Sequence, residues 1–208
     1  MKIAVINASS QISKNKMLYK YTTKYAINDD VYNFGCAIDE DYSYIEISIL
    51  IGLLINSEAV DFVVSGCSSG QGMMLACNSI PNVLCGYAPT GKDAYLFAQI
   101  NNGNAISLPL GEDYTYLNEE NLENTIKELF KEPFGQGYPK SEAKRKICDT
   151  ILLKNIRKKS QINIVDFLNS LDLAIIKKVL NKKDVIDFIV NNGSNKEVIN
   201  WISSKTIM

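Results

Sequence analysis

Five times in the first 131 residues a short apolar run gives way to a helical pattern. Strands are predicted over residues 2–6, 31–35, 59–65, 83–87 and 105–108. Helices are predicted over 12–27, 43–56, 73–79, 92–100 and 118–131. Strands that alternate with helices pair in parallel, because each helix carries the chain back across a sheet face. The expected fold is therefore α/β: a five-stranded, parallel, doubly wound (Rossmann-like) sheet. After Pro133 the pattern changes. Residues 134–139 read as a loop, 140–158 carry many cations, and only helical patterns remain from Ile162 to Trp201. This divides the chain into an α/β unit, residues 1–133, and a C-terminal loop and helical extension, residues 134–208. The extension is expected to pack on a partner subunit or to cover the site.

Local signals refine the elements. Ser10 or Ser13 is placed to cap the first helix. Pro81 ends the short third helix. Ala94, Phe97 and Ala98 form the inner face of the fourth helix, and Leu122, Ile126, Leu129 and Phe130 the stripe of the fifth. The run Asn101-Asn102-Gly103-Asn104 suits left-handed turn positions, and turn chemistry alone explains it about as well as ligand contact does.

The stretch Asp61 to Leu75 carries the chemistry. An apolar run, Asp61-Phe62-Val63-Val64-Ser65, leads into Gly66-Cys67-Ser68-Ser69-Gly70-Gln71-Gly72 and then into Met73-Met74-Leu75. Strand, tight turn and helix start follow one another. In parallel sheets such turns lie at the carboxyl edge of the strands, where ligands bind. Glycines let a ligand come close to the backbone, and the free N–H groups of a helix start favour an anion. The same field favours the thiolate form of a cysteine beside it. The loop thus offers a base or nucleophile, Cys67, next to an anion cradle.

Other readings of this loop fail on particular residues. Gly66-Cys67-Ser68-Ser69-Gly70 matches the nucleophile-elbow pattern G-x-S-x-G, but the chain contains no histidine to act as the base. That absence also removes Cys-His dyads and histidine-based metal sites. Met73 stands where a cysteine phosphatase needs arginine, and Leu75 where a dinucleotide fingerprint needs glycine. The five cysteines, Cys36, Cys67, Cys77, Cys85 and Cys148, are odd in number and contain no C-x-x-C pair. A disulfide framework or zinc site is not expected, and most of the cysteines are expected to be small buried hydrophobes. A formal net charge of −1 gives no footprint for nucleic acid. No apolar run is long enough to span a bilayer, and Met1 to Ile6 reads as a strand rather than a signal peptide. The expected location is cytoplasmic. Lys140, Lys144, Arg145 and Lys146 read equally as a solvated helix face or as a phosphate clamp. The scattered tyrosines read as ordinary packing.

Four separate segments resemble one family. They are Ala8-Ser9-Ser10-Gln11-Ile12-Ser13-Lys14-Asn15, the cysteine loop with Cys77-Asn78 and Pro81, Asn101-Asn102-Gly103-Asn104-Ala105, and Gly135-Gln136-Gly137-Tyr138-Pro139. Together they resemble the type B ribose-5-phosphate isomerase and galactose-6-phosphate isomerase family, in a longer branch with a C-terminal extension. The resemblance implies aldose–ketose isomerisation through an enediol. It implies that Cys67 moves the proton between C1 and C2, that the Ser69 hydroxyl takes the place of a family threonine, and that the N–H groups of Ser69 to Gly72 hold the oxyanion. It implies that Ser10, Gln11, Ser68, Gly70, Gln71, Gly72, Tyr87, Asn101, Tyr138, Lys140 and Arg145 bind substrate. No cofactor and no metal is implied. The partners implied are a small-molecule sugar phosphate and further copies of the chain, as a homodimer or homotetramer whose sites are completed across subunits; neither nucleic acid nor membrane is among them. The chain departs from the family where Ser9, Ser10 and Gln11 replace an Asp-His pair, where Tyr87, Ala88 and Pro89 replace a histidine, and where the phosphate-gripping arginines are not reproduced one for one. With every histidine gone, a non-catalytic binder of sugars or sugar phosphates is the alternative. A cysteine-based redox or nucleotide site is a third reading.

Overall fold

The computed structural model describes residues 1–112 and 119–206. Strands β1 (Lys2–Val5), β2 (Asp30–Asn33), β3 (Phe62–Cys67), β4 (Cys85–Tyr87) and β5 (Ala105–Pro109) form a sheet in the order β2-β1-β3-β5-β4, with every pair parallel. Five helices accompany the sheet: α1 (Ile12–Tyr25), α2 (Tyr44–Asn56), α3 (Gln71–Ser79), α4 (Gly91–Leu96) and α5 (Glu119–Leu129). A π-helical segment, Phe97–Asn101, continues α4.

Alternation along the strands builds two cores. Ile3, Val5, Phe62, Val64 and Ile106 face one side with α1, α4 and α5; Ala4, Ile6, Val63 and Ala105 face the other with α2 and α3. All six residues of β3 are buried, as a central parallel strand covered on both faces requires. Strand order reverses between β1 and β3: the chain moves outward from β1 to β2 and then returns past β1 to β3. That reversal opens a crevice at the carboxyl edge, between the loops that leave β1 and β3.

The rest of the chain is helical: α6 (Ala143–Ser160), α7 (Ile164–Ser170), α8 (Leu173–Leu180), α9 (Lys183–Asn192) and α10 (Lys196–Thr206). Helices α8 and α9 lie on α2, and Ile176, Val179, Ile186 and Ile189 join its core. This explains why α2 is apolar almost all round: it is buried between the sheet and the tail. Each such aliphatic side chain contributes roughly 1.5–3 kcal/mol relative to exposure. Helix α6 differs, with Ile151 55%, Leu152 59% and Ile156 55% exposed. Among the described residues no helix is long and apolar enough to cross a membrane.

Boundaries moved in physically informative ways. Neither Ser10 nor Ser13 caps α1: a 3-10 turn at Ser9–Gln11 leads into it, Gln11 is the cap residue, and no side chain bonds the helix start. Instead the Asn7 amide donates to the Gln11 carbonyl at 2.8 Å, and the Gln11 side chain reaches elsewhere. Strand β3 starts at Phe62 rather than at Ala59 and runs to Cys67, because pairing with β5 continues to the Cys67–Pro109 register. Helix α3 starts at Gln71 because Gly70 takes the left-handed conformation (φ 72°) and turns the chain there. The expected start of α5 at Asn118 lies outside the described residues.

Candidate active site at the strand reversal

Cys67 is the last residue of β3. Its carbonyl accepts from the Leu110 N–H at 2.9 Å, and the Ser68 carbonyl accepts from Gly111 at 2.9 Å. On the other flank Gly66 accepts from the Ala8 N–H at 3.2 Å. The strand end is thus held from both sides, and the Cys67 side chain is 7% exposed, at the edge where β1 and β3 diverge. Burial pushes the Cys36 thiol up to about 11, and its sulfur donates to the Asn7 carbonyl at 3.6 Å. Cys77 and Cys85 are buried in the α2-side core, as expected of structural thiols.

After Cys67 the backbone turns through Gly70. A Cβ there would lie 2.8 Å from the Leu108 carbonyl carbon, the Pro109 nitrogen and the Tyr87 ring, so no side chain fits. The Ser107 hydroxyl donates to the Gly70 carbonyl at 2.6 Å and locks the turn. The first bond of α3 runs from the Met74 N–H to Gly70 at 3.1 Å. The N–H groups of Ser69, Gly70, Gln71 and Gly72 have no acceptor among the described residues. Four main-chain donors, backed by a helix start, follow directly on the thiol.

The loop after β1 forms the facing wall. A ladder of amides organises it: Asn15 donates to Asn7 at 2.9 Å, and Asn33 donates to Asn15 at 3.0 Å. Its end product is the Gln11 amide donating to the Ser68 hydroxyl at 3.0 Å. Ser10 is exposed beside it.

Tyr87, at the end of β4, closes the third side. Burial pushes its phenol up, a hydrogen bond with Gln71 pulls it down, and the charge of Asp93 pushes it up again. Tyr44 is a neighbour of the loop that the sequence reading did not single out. It opens α2 immediately after the Ser43 cap and lies over α3, where a Cβ on Gly72 would be 3.5 Å from its ring. The available signal was positional: Tyr44 starts the helix after β2, as Gln71 starts the helix after β3.

The structure gathers Ser10, Gln11, Cys67 to Gly72 and Tyr87 at this edge. Asn101 lines, with Tyr87 and Asp93, a cleft of about 340 Å³ along β4. Among the described residues no hydrogen bond joins Asn101, Tyr138, Lys140 or Arg145 to the Cys67 loop. Gly137 donates to the Gln99 carbonyl at 2.9 Å and the Tyr138 ring sits 5.6 Å from that of Tyr95, so this segment neighbours the π-helical segment that ends at Asn101. Lys140 is exposed in a 3-10 turn, and Arg145 on α6 is held by Glu142 at 2.7 Å and Asp149 at 2.9 Å.

The model of the Ribose/Galactose Isomerase family matches residues 3–147. No curated protein matches the chain. Among solved structures, a 4-deoxy-L-threo-5-hexosulose-uronate ketol-isomerase complexed with a tartrate is 33% identical, covers 100% of both chains and superposes with a TM-score of 0.92. A ribose-5-phosphate isomerase from Vibrio parahaemolyticus is 32% identical, covers 98% of each chain and has a TM-score of 0.91. Type B ribose 5-phosphate isomerase from Trypanosoma cruzi shares the fold at 19% identity and a TM-score of 0.64, over 76% of this chain and 99% of that one.

Proposed function

The chain belongs to the ribose/galactose isomerase family, and on that premise we propose that it interconverts an aldose and a ketose phosphate, of a pentose or hexose, through an enediol. The observation that carries this reading is the Cys67 thiol at a strand end followed by four main-chain donors that have no acceptor among the described residues. As thiolate, Cys67 takes the proton from the carbon α to the carbonyl. The electron pair moves onto the carbonyl oxygen, where the N–H groups of Ser69 to Gly72 and the Ser69 hydroxyl hold the charge. The thiol then returns its proton to the neighbouring carbon, while the hydroxyl proton on the carbon first deprotonated passes to the first oxygen, so that the second oxygen becomes the carbonyl. Gln11, through Ser68, and Tyr87 border the sugar.

The remaining predicted contacts come from a second copy of the chain. Among the described residues no hydrogen bond joins Asn101, Tyr138, Lys140 or Arg145 to the Cys67 loop of their own chain, β4 is a sheet edge, and α6 presents exposed Ile151, Leu152 and Ile156. A homodimer, or a homotetramer built from it, covers these surfaces and completes each site from its neighbour.

The anionic end of the sugar is the open variable. Of the two solved structures near one-third identity, one is a ribose-5-phosphate isomerase and the other a ketol-isomerase of a hexosulose uronate. Either phosphate or carboxylate suits a site with free N–H donors. The deciding experiment is a panel of ribose 5-phosphate, galactose 6-phosphate, the deoxyhexosulose uronate and unphosphorylated sugars, assayed for interconversion. Turnover of none of them overturns the reading. The absence of histidine favours one second reading, a non-catalytic sugar or sugar-phosphate binder. Thermal stabilisation by several panel members with no interconversion of any selects it.

A further inference from the structure

The tail beyond the family match carries a buried cation. Lys182, the residue before α9, is 2% exposed. Its ammonium donates to the Gly35 carbonyl at 3.3 Å, to both Glu40 oxygens at 3.3 and 3.0 Å, and to Asp184 at 3.1 Å. Glu40 in turn accepts from the Ala37 N–H at 2.7 Å, closing the turn that leads from β2 to α2. One helix turn earlier, Lys178 on α8 bonds Glu46 at 3.0 Å, and Glu46 accepts from the Ser43 N–H at 2.8 Å in the capping box of α2. Both ammonium groups stand 5.8 Å from the Tyr42 ring, which lies between these two anchors.

The clamped segment touches the site twice. The Tyr42 carbonyl accepts from the Ser9 N–H at 2.9 Å, and Asp41 accepts from the Ser9 hydroxyl at 3.3 Å. Ser9 opens the turn that ends in Gln11, whose amide holds Ser68 beside Cys67. Tyr44, next after the Ser43 cap, lies over the start of α3. A buried ammonium is costly unless it is paired, and of its partners Gly35 and Glu40 are in reach only when residues 35–40 are seated.

We propose that Lys182, assisted by Lys178, is a positioning residue: through it the C-terminal extension seats residues 35–46 against the first loop and so sets the substrate-facing wall formed by Gln11, Ser68 and Tyr44. Given the isomerase reading, the extension acts on substrate fit rather than on the proton transfer at Cys67.

The test compares Lys182→Met, Glu40→Gln and the control Val198→Ala, which removes a buried contact in α10 away from the clamp. Two readouts are used. Hydrogen exchange of the segment containing Ser9 to Ile12, with the alkylation rate of Cys36, reports seating without any substrate. Steady-state kinetics on whichever panel sugar the wild type turns over report fit. The expected result for both Lys182→Met and Glu40→Gln is exchange and alkylation faster by tenfold or more, with KM raised at least fivefold and kcat within twofold. Lys182→Arg restores part of each, the double variant is no worse than the worse single one, and Val198→Ala lowers stability without moving either readout. If Lys182→Met does not fold, Glu40→Gln decides alone, since it leaves the lysine in place. Unchanged exchange at Ser9 and unchanged KM in a folded variant overturn the proposal. A wild type that converts no sugar overturns the isomerase reading instead, and exchange and alkylation still decide whether the clamp seats the wall.

Discussion

The Gln11 amide donates to the Ser68 hydroxyl at 3.0 Å across 57 residues of chain, joining the loops that leave β1 and β3. Gln11→Ala removes that bond while leaving the Asn7–Asn15–Asn33 ladder intact. The expected stability loss is about 1 kcal/mol, as for one ordinary hydrogen bond. The expected kinetic effect is larger, because the Ser68 hydroxyl then rotates freely at the site. Denaturant melts set beside kcat/KM show whether the second loss exceeds the first.

Cys67 is assigned the proton transfer, so Cys67→Ala and Cys67→Ser both lower kcat by about 10²–10⁴. Both variants stay folded, with the alanine variant losing roughly 1 kcal/mol of stability for the buried sulfur it removes. Single-turnover assays with substrate deuterated at the abstracted position read the step directly. An alanine variant with full activity ends the assignment.

Gly70 and Gly72 behave oppositely despite standing two residues apart. Gly70→Ala forces a side chain into φ 72° and into atoms 2.8 Å away. The conformational cost alone is about 1–2 kcal/mol, and relief of the clash pushes the turn out of place. Gly72→Ala meets the Tyr44 ring at 3.5 Å, an ordinary contact, within the first turn of α3. Its stability is unchanged or raised by up to about 1 kcal/mol through helix propensity. Thermal melts of the two variants check the contrast, and equal destabilisation contradicts it.

The lysine clamp gives stability a defined pH dependence. Burial pushes the Glu46 carboxyl up, but bonds from Ser43, Lys178 and its own backbone N–H outweigh burial and hold it below its ordinary 4.5. A lowered carboxyl contributes stability that is complete above 4.5 and lost as pH falls through the lowered value. Glu46→Gln therefore flattens the acid limb of the stability profile and lowers the neutral plateau. Burial lowers Lys182, but Glu40 and Asp184 outweigh it and raise the ammonium above 10.5. Its contribution is complete below 10.5 and fades as pH rises through the raised value, so Lys182→Met removes an alkaline component of the stability profile.

The apolar face of α6 is assigned to a second copy of the chain. Ile151→Asp with Ile156→Asp places charge on that face at residues 55% exposed, where the fold itself loses little. Sedimentation of the variant is expected to show monomers where the wild type shows dimers or tetramers, with turnover lost as well. An oligomer that survives both substitutions refutes the assignment.

Much of the architecture is legible in local sequence. Alternating strand and helix signals locate all five strands to within three residues at either end, and Gly66 to Gly72 mark the turn at the carboxyl edge. The apolar helix expected over 43–56 is α2, with Ser43, read as its first residue, serving as its cap. The capping role of Ser10 and Ser13 failed because tertiary bonds from Asn7 and to Ser68 claimed the first loop. Tyr44 was missed because nothing near it in sequence distinguishes it from a packing tyrosine; its place beside Gly72 exists only once α2 and α3 lie side by side.

Sequence alone determined the parallel sheet, the position of the cysteine turn and the helical character of the tail, because period, turn chemistry and capping act over a few residues. Only the tertiary structure decided which predicted site residues share an edge, that the Tyr87 ring lies against the Gly70 turn, and that Lys182 holds Glu40 across 142 residues. Those outcomes depend on strand order and on the pairing of buried charges, and both are set when distant segments meet rather than by any segment's own preference.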